Sequence, residues 1–197
     1  MSTFSLTATR PVLADSIPGT HVRDAVLIAC GAALTIIGAQ ISIQVPPSPV
    51  PITGQTLGVV LAGAALGARR GMASQLLYVL LGLVLPVYAD GEQGFDVIWG
   101  ATGGYLIGFI AAAGVIGALA EHGADRKPVI AFFSYVGAQL VIFGFGVPWL
   151  KVAADMTWAD AIHYGFTLFI VGGIVKAIAG AALTPSAWRL VKRIDRA

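Results

Sequence analysis

Charged side chains are scarce in this sequence. Asp, Glu, Lys and Arg make up 11% of its 197 residues, less than half of the roughly 25% that is usual for soluble domains. So few charges could not cover a water-exposed surface of this size. Hydrophobic residues make up 57%, and they form several of the runs of about 20 apolar residues that a helix needs to cross a bilayer. The composition therefore predicts an integral membrane protein.

Motifs for bond-making chemistry are also missing. The single cysteine, Cys30, excludes an intramolecular disulfide and gives no support to a cysteine-based metal site. No Gly-rich loop is followed by Lys and Ser or Thr, so the chain has no phosphate-binding motif with which to use ATP itself. His21, His122 and His163 stand apart without metal-ligand spacing. We therefore expect neither an enzyme nor a bound cofactor or metal, and a formal charge of +2 gives no argument for a nucleic-acid partner.

Six apolar segments follow one another along the chain, at approximately 24–44, 55–68, 71–89, 98–120, 129–150 and 161–184. With six spans and a cytoplasmic amino terminus, ten of the twelve basic residues fall on the cytoplasmic side, as the positive-inside rule expects. An odd number of spans would scatter them across both faces. The sequence therefore predicts an all-α, multi-pass protein of the cell membrane with six transmembrane helices and both termini cytoplasmic.

This topology divides the chain into a cytoplasmic tail at 1–22, a membrane domain at 23–188 and a basic cytoplasmic tail at 189–197. Basic residues beside apolar segments also favour contact with membrane lipid. Two connections on the predicted outer side are irregular: residues 44–54, which we call the proline-rich loop, and residues 86–96. Irregular backbone at membrane depth needs protein or a water-filled cavity to satisfy it. We therefore expect the proline-rich loop to act as a lid over an outer pocket.

Lys176 is the most informative single residue. It lies inside the last apolar segment, in the sequence FIVGGIVKAIAGAAL, where an ionisable group is costly and usually faces a partner, a cavity or a ligand. The alternative is a lysine whose flexible stem carries the ammonium to the membrane interface. If the helix begins near Gly172 and Gly173, an anion there would meet both the lysine and the positive end of the helix dipole.

Other polar and aromatic residues near the predicted outer side extend this hypothesis. Buried amides need hydrogen-bond partners, and for Gln55 and Gln139 the alternative to a ligand is a bond between helices. Tyr88 and Tyr105 flank the outer loops, where interfacial aromatics are the ordinary explanation, and Asp90 is either a solvated loop charge or an acceptor for a ligand N–H. The predicted substrate-binding set is Lys176, Gln55, Tyr88, Asp90, Tyr105 and Gln139.

Small residues recur at helical spacing in three segments: Ala25, Ala29 and Ala33; Gly63 and Gly67; and Gly104 and Gly108. Such stripes let helix backbones approach closely in a membrane, where lipid supplies no hydrophobic drive for association. Packing inside the chain is the ordinary explanation for any one stripe. The stripe in the first segment also suits a helix of another protein.

Three motifs occur in the order PVPITGQTLGVVLAGAALGARRG, LPVYADGEQGFDVIWGATGGYLIGF and GVPWL. With them the chain resembles the biotin-transporter family called BioY over residues 25–184, nearly the whole membrane region. The resemblance implies a substrate-specificity subunit of an energy-coupling-factor transporter, with six helices and outer loops that close over one biotin. It implies partnership with a transmembrane coupling subunit and two cytoplasmic ATPases, and ligand contact by Lys176. The family's typical Pro-Gly-Asp is here Val171, Gly172 and Gly173.

The chemistry of biotin is compatible with the candidate residues. An anionic tail, a polar ureido ring and an apolar thiophane body require one cation, a few amides or hydroxyls, and aromatic walls. A stand-alone secondary transporter or facilitator for biotin or another small vitamin is the alternative function. Such transporters are expected to show internal repeats and matching broken helices, and the two halves of this chain show no convincing repeat.

Overall fold

The computed structural model describes residues 11–17, 19 and 21–194. Within them the α-helices are α1 (His21–Ala39), α2 (Gln55–Leu66), α3 (Ala68–Gly82), α4 (Phe95–Trp99), α5 (Gly103–Glu121), α6 (Pro128–Ala153), α7 (Trp158–Gly165) and α8 (Ile170–Ile194). Two short strands, β1 (Ser42–Ile43) and β2 (Ile52–Thr53), pair antiparallel and close the base of the proline-rich loop. Helices thus make up nearly all of the regular structure, as the sequence predicts.

Four of the described helical stretches are long and apolar enough to cross a membrane: α1, α5, α6 and the stretch Trp158–Val191, which contains α7 and most of α8. The helices α2 and α3 correspond to the second and third predicted segments but have only 12 and 15 residues. At 1.5 Å per residue they are about 18 and 22 Å long, less than the roughly 30 Å of a hydrocarbon core. The structure therefore indicates a membrane protein, and the count of six spans stays a prediction.

A sharp turn joins α2 to α3 at a single residue, Gly67. Its φ of 83° lies in the region that favours glycine. The first amide of α3 then donates to a carboxylate from another helix, with Ala68 N 2.9 Å from Glu121 Oε1. An acid at a helix amino terminus is stabilised by the helix dipole. The turn is therefore fixed by α5 as well as by its own backbone.

Two of the three small-residue stripes pack inside the bundle. A Cβ added at Gly63 would lie 2.7 Å from the carbonyl oxygen of Ala113 on α5, and one at Gly104 would lie 2.6 Å from the carbonyl oxygen of Phe145 on α6. Side chains at either place would force helices apart. The stripe at Ala25, Ala29 and Ala33, by contrast, is exposed on the surface of α1.

Contacts between distant residues define two ends of the bundle. At one, which we call the basic end, Arg70 Nη1 lies 2.9 Å from Asp15 Oδ1 and Arg126 Nη2 donates to the Pro11 carbonyl at 2.8 Å. Opposite it lies the loop end, where the proline-rich loop meets the connection from α3 to α5 and helix α7. The functional candidates of the sequence gather at the loop end.

The predicted tails are described only in part. Residues 1–10, 18 and 20 of the amino-terminal tail, and residues 195–197 of the carboxyl-terminal one, lie outside the described residues. Of the rest, Val12 and Ala14 are buried, with exposures of 3% and 4%. Helix α8 continues to Ile194, through most of the predicted carboxyl-terminal tail. The described residues 11–15 therefore pack against the bundle at its basic end.

Candidate functional site

A cavity lies at the loop end. It holds about 750 Å³ of space free of protein atoms, open solvent included. The proline-rich loop covers one side, and the connection between α3 and α5 forms another. Residues of α2, α5, α6 and α8 complete the walls, with Lys176 contributed by α8. The two irregular connections therefore meet where the sequence places a pocket.

The proline-rich loop is tied to two other connections. Gln44 Nε2 donates to Asp90 Oδ2 at 2.5 Å, and the Ser48 hydroxyl lies 3.1 Å from the Tyr164 carbonyl oxygen at the end of α7. Ser48 is buried, and Asp90 has a φ of 57°, a left-handed conformation that aspartate tolerates better than most residues. These two ties hold the loop closed over the cavity.

Lys176 extends from the second turn of α8 to the cavity wall. Its Nζ donates to the carbonyl oxygen of Thr53 at 2.7 Å and to Thr56 Oγ1 at 2.8 Å. A protonated lysine has three N–H donors, so one remains for a ligand. In the described part of the chain no carboxylate forms a salt bridge with Lys176. An ammonium that lacks an acidic partner is suited to an anionic ligand.

Gln55 begins α2 beneath the proline-rich loop. Its Nε2 donates to the Tyr78 hydroxyl at 2.5 Å, and its Oε1 accepts from Thr53 Oγ1 at 2.7 Å. The side chain is thus held at the cavity wall by α3 on one side and by the loop on the other. One amide N–H and one oxygen lone pair are left over, so Gln55 is able both to donate to a polar ligand and to accept from it.

Tyr88 and Tyr105 contribute rings to the cavity, whereas their hydroxyls serve the fold. Tyr88 OH donates to the Val79 carbonyl at 2.7 Å, and Tyr105 OH donates to the Gly165 carbonyl at 2.8 Å. The ring of Tyr105 stacks on Phe169 with centroids 6.4 Å apart. Because their donors are already used, these tyrosines act as apolar walls rather than as hydrogen-bonding groups for a ligand.

Gln139 does not line this cavity, although it lies beside Phe143 and Phe169, which do. Its Nε2 donates to the Gly173 carbonyl at 3.0 Å, which joins α6 to α8. A Cβ added at Gly173 would lie 2.8 Å from Gln139 Oε1, so the small residue and the amide fit each other. The structure therefore brings five of the six predicted side chains to one cavity and places Gln139 in a bond between helices, the alternative that the sequence left open.

The sequence of the chain matches a known protein family. The family model described as BioY family matches residues 8–193. The chain belongs to the BioY family. Among BioY proteins, the biotin transporter BioY2 of Lactococcus lactis subsp. cremoris is 37% identical over 163 residues, 81% of this chain and 86% of the relative. The biotin transporter BioY of Rhizobium etli is 37% identical over 170 residues, 82% of this chain and 90% of the relative.

A solved structure shares the BioY fold seen here. It is described as the S-component for biotin from an ECF-type ABC transporter. The two superpose with a TM-score of 0.77 over 91% of this chain and 96% of that chain, at 23% sequence identity. The arrangement of helices in the present BioY chain is therefore one that an experimental structure also contains.

Several residues in or beside the cavity are not among those predicted from the sequence. Thr53 and Thr56 hold Lys176, Tyr78 holds Gln55, and Phe143 and Phe169 form walls. Short polar residues and aromatics are common in membrane helices, so only the lysine signals their neighbourhood. Among the residues that the structure describes, no three His, Cys, Asp or Glu side chains lie close enough together to hold a metal ion.

Proposed function

We propose that this chain binds biotin at the outer face of the cell membrane and delivers it inward together with an ATP-driven coupling module. The observation that carries the proposal is the cavity of a BioY-family protein whose only cation, among the described residues that line it, is Lys176. The valerate carboxylate of biotin pairs with this ammonium through a charge-assisted hydrogen bond. The relatives are named as biotin transporters rather than as enzymes.

The rest of the biotin molecule matches the remaining walls. The ureido ring needs both donors and acceptors, which Gln55 and Asp90 supply, and the apolar thiophane ring suits the rings of Tyr88 and Tyr105. Such division of a pocket into a few polar groups and an aromatic majority is typical of small-molecule sites. Gln139 is assigned to helix packing and not to the ligand.

For the topology we propose six spans with both termini cytoplasmic. The short helices α2 and α3, joined at Gly67, each cross much of the bilayer, and the loops at their ends complete the crossing. The contacts of Arg70 and Arg126 put these residues at the basic end, opposite the cavity. Basic residues favour the cytoplasmic side, so the cavity faces outward.

For the partner we propose a transmembrane coupling subunit that docks on α1 and is driven by two cytoplasmic ATPases. The exposed stripe Ala25, Ala29 and Ala33 supports this assignment, because small residues at this spacing let a second helix approach closely. The opposite face of α1 is occupied: a Cβ added at Gly31 would lie 2.8 Å from Ser74 Cβ on α3. The exposed face is therefore free for another protein.

Equilibrium binding of labelled biotin to the purified, detergent-solubilised protein tests the proposal. We expect saturable binding that unlabelled biotin displaces. Folded protein, verified by a cooperative thermal transition, without saturable binding would contradict the assignment of the cavity. Uptake by cells that express the chain with and without the coupling subunit and ATPases then separates a binding subunit from a stand-alone transporter, since only the latter supports uptake alone.

A further inference from the structure

A second cavity is a groove between α6 and α8 near the basic end, away from the site described above. It holds about 890 Å³ of space free of protein atoms, open solvent included. Its walls are mostly apolar and include Phe132, Ile178 and Ala182; among the described residues that line it, only Ser186 and Arg189 have polar side chains. The groove is thus apolar along its length and cationic at one margin.

The groove opens onto the apolar outer surface of the bundle. Val129, Phe133, Ile178 and Leu183, on the two helices that form it, have exposures of 68%, 67%, 56% and 53%. Both helices belong to stretches long and apolar enough to span a membrane. A surface of this kind is in contact with lipid acyl chains, which are as apolar as these side chains. The natural occupant of the groove is therefore a molecule of the bilayer.

Positive charge is concentrated beside one end of the groove. Arg189 is exposed and donates to Ser186 Oγ at 2.9 Å. Lys127 directly precedes the groove residue Pro128, and Arg193 follows Arg189 by one helical turn, on the same face. No salt bridge to these three cations occurs in the described ranges. Cations at the interfacial end of an apolar groove complement a lipid with an anionic head group.

Buried contacts hold the cationic margin in place. Trp188 Nε1, on α8, donates to Asp125 Oδ2 at 2.5 Å, which links α8 to the turn before α6. The guanidinium carbon of Arg126 lies 4.2 Å from the ring centroid of Trp188, within the range of a cation–π contact. Lys127 and Arg189 are the chain neighbours of these pinned residues. The backbone that carries Lys127 and Arg189 is therefore held in place, which lowers the entropic cost of binding.

We propose that this groove binds one anionic phospholipid, with an acyl chain along α6 and α8 and the phosphate at Arg189 and Lys127. The coupling subunit is a weaker choice, because the exposed alanine stripe is on α1, and α1 packs on α2 and α3 rather than on the helices of the groove. A lipid bound here would also brace the two helices against each other. The assignment does not depend on what the loop-end cavity binds.

Native mass spectrometry tests whether the groove prefers an anionic head group. The purified protein is titrated with phosphatidylglycerol or with phosphatidylcholine of the same acyl chains. We expect one phosphatidylglycerol to bind at least about tenfold more tightly than phosphatidylcholine. Replacing Arg189 and Lys127 together by Gln should remove this preference. The matched control Arg69→Gln changes an exposed arginine at the start of α3 and should leave the preference intact. Equal affinity for the two lipids, or equal effects of the two sets of substitutions, would overturn the proposal.

Filling the groove tests the shape. Ala182 lines it and is exposed, so Ala182→Phe should fold normally while it blocks the acyl chain and weakens phosphatidylglycerol binding by about tenfold or more. Leu183→Phe adds bulk at the next residue, outside the groove, and should have no effect. If Ala182→Phe leaves lipid binding unchanged but alters the oligomeric state or the recovery of the coupling subunit, the groove is a protein interface and the lipid proposal is wrong.

Discussion

The two ends of the bundle use buried polar groups in different ways. At the loop end, Lys176 reaches an open cavity and keeps a donor beyond its bonds to Thr53 and Thr56. At the basic end, Asp125 is 2% exposed and is enclosed with Trp188 and Arg126. The first arrangement can exchange partners with a ligand, whereas the second can only hold the fold together. Substitutions of the polar groups at the loop end should therefore change biotin affinity, and substitutions of the buried cluster around Asp125 should change stability.

The largest effect on biotin affinity is expected for Lys176→Ala. The ligand carboxylate would lose a charge-assisted hydrogen bond worth about 1.5 to 3 kcal/mol, so affinity should fall about tenfold or more with little harm to folding. Isothermal titration with biotin and with biotin amide checks this, because the uncharged amide should be nearly insensitive. Lys151→Ala, which removes a lysine that does not line the cavity, is the control. Equal losses of affinity for biotin and for biotin amide would show that Lys176 has a structural role instead.

A smaller effect is expected from the ties of the proline-rich loop. Gln44→Ala removes the bond to Asp90, an exposed hydrogen bond worth about 0.5 to 1.5 kcal/mol, so affinity should fall a few-fold. A protease site introduced next to Ser48 should be cut slowly in the parent, more slowly with biotin, and faster after Gln44→Ala. An equal rate of cleavage with and without saturating biotin would show that the loop does not act as a lid.

Trp188→Phe should leave biotin affinity unchanged and lower stability. It deprives the buried Asp125 carboxylate of its indole donor, and an unsatisfied buried group costs about 1 to 3 kcal/mol. Thermal unfolding in detergent measures the loss. Burial raises the pKa of Asp125 above its ordinary value, so the penalty for the charged form is present above the folded-state pKa and fades as pH falls through it. Adding Asp125→Asn should accordingly recover part of the loss.

The smallest effect on biotin affinity is expected for Ala29→Trp, on the exposed face of α1. Purified variant should bind biotin almost normally, yet fail to co-purify with the coupling subunit and to support uptake at low external biotin. Gly31→Trp provides the contrast, because that residue faces α3 and overpacking an interior contact costs about 1 to 3 kcal/mol or more. Were Ala29→Trp to lose binding, or to keep complex and uptake, the docking assignment would be wrong.

The sequence predicted the main helices and singled out Lys176, because both predictions depend on local features of the sequence. An apolar run of about 20 residues usually forms a transmembrane helix. An ionisable group within such a run usually faces a partner, a cavity or a ligand. The sequence could not separate Gln55 from Gln139, which are both amides in apolar surroundings. Their difference arises from which helix each one faces: Gln55 turns to Tyr78 and the cavity, Gln139 to the backbone of α8.

The small-residue stripes teach the same lesson. Ala29 and Gly63 occur in similar patterns of small residues. Only the packing of the helices decides that Gly63 contacts α5 while Ala29 is exposed on the surface of the bundle. The sharp turn at Gly67 also lies beyond sequence reasoning, because it is stabilised by Glu121 from a distant helix. Tertiary contacts, rather than local propensity, thus determine which small residues are buried between helices and which are exposed to a partner protein.

The two ties of the proline-rich loop also have a kinetic consequence. If the loop acts as the predicted lid, a molecule in the loop-end cavity leaves only after the contact of Gln44 with Asp90, or that of Ser48 with Tyr164, has opened. Entry meets the same barrier, so association is slower than diffusion allows and the dwell time of the occupant follows the rate of loop opening. For the proposed binding subunit, a long dwell time keeps each captured molecule in place until the transport step.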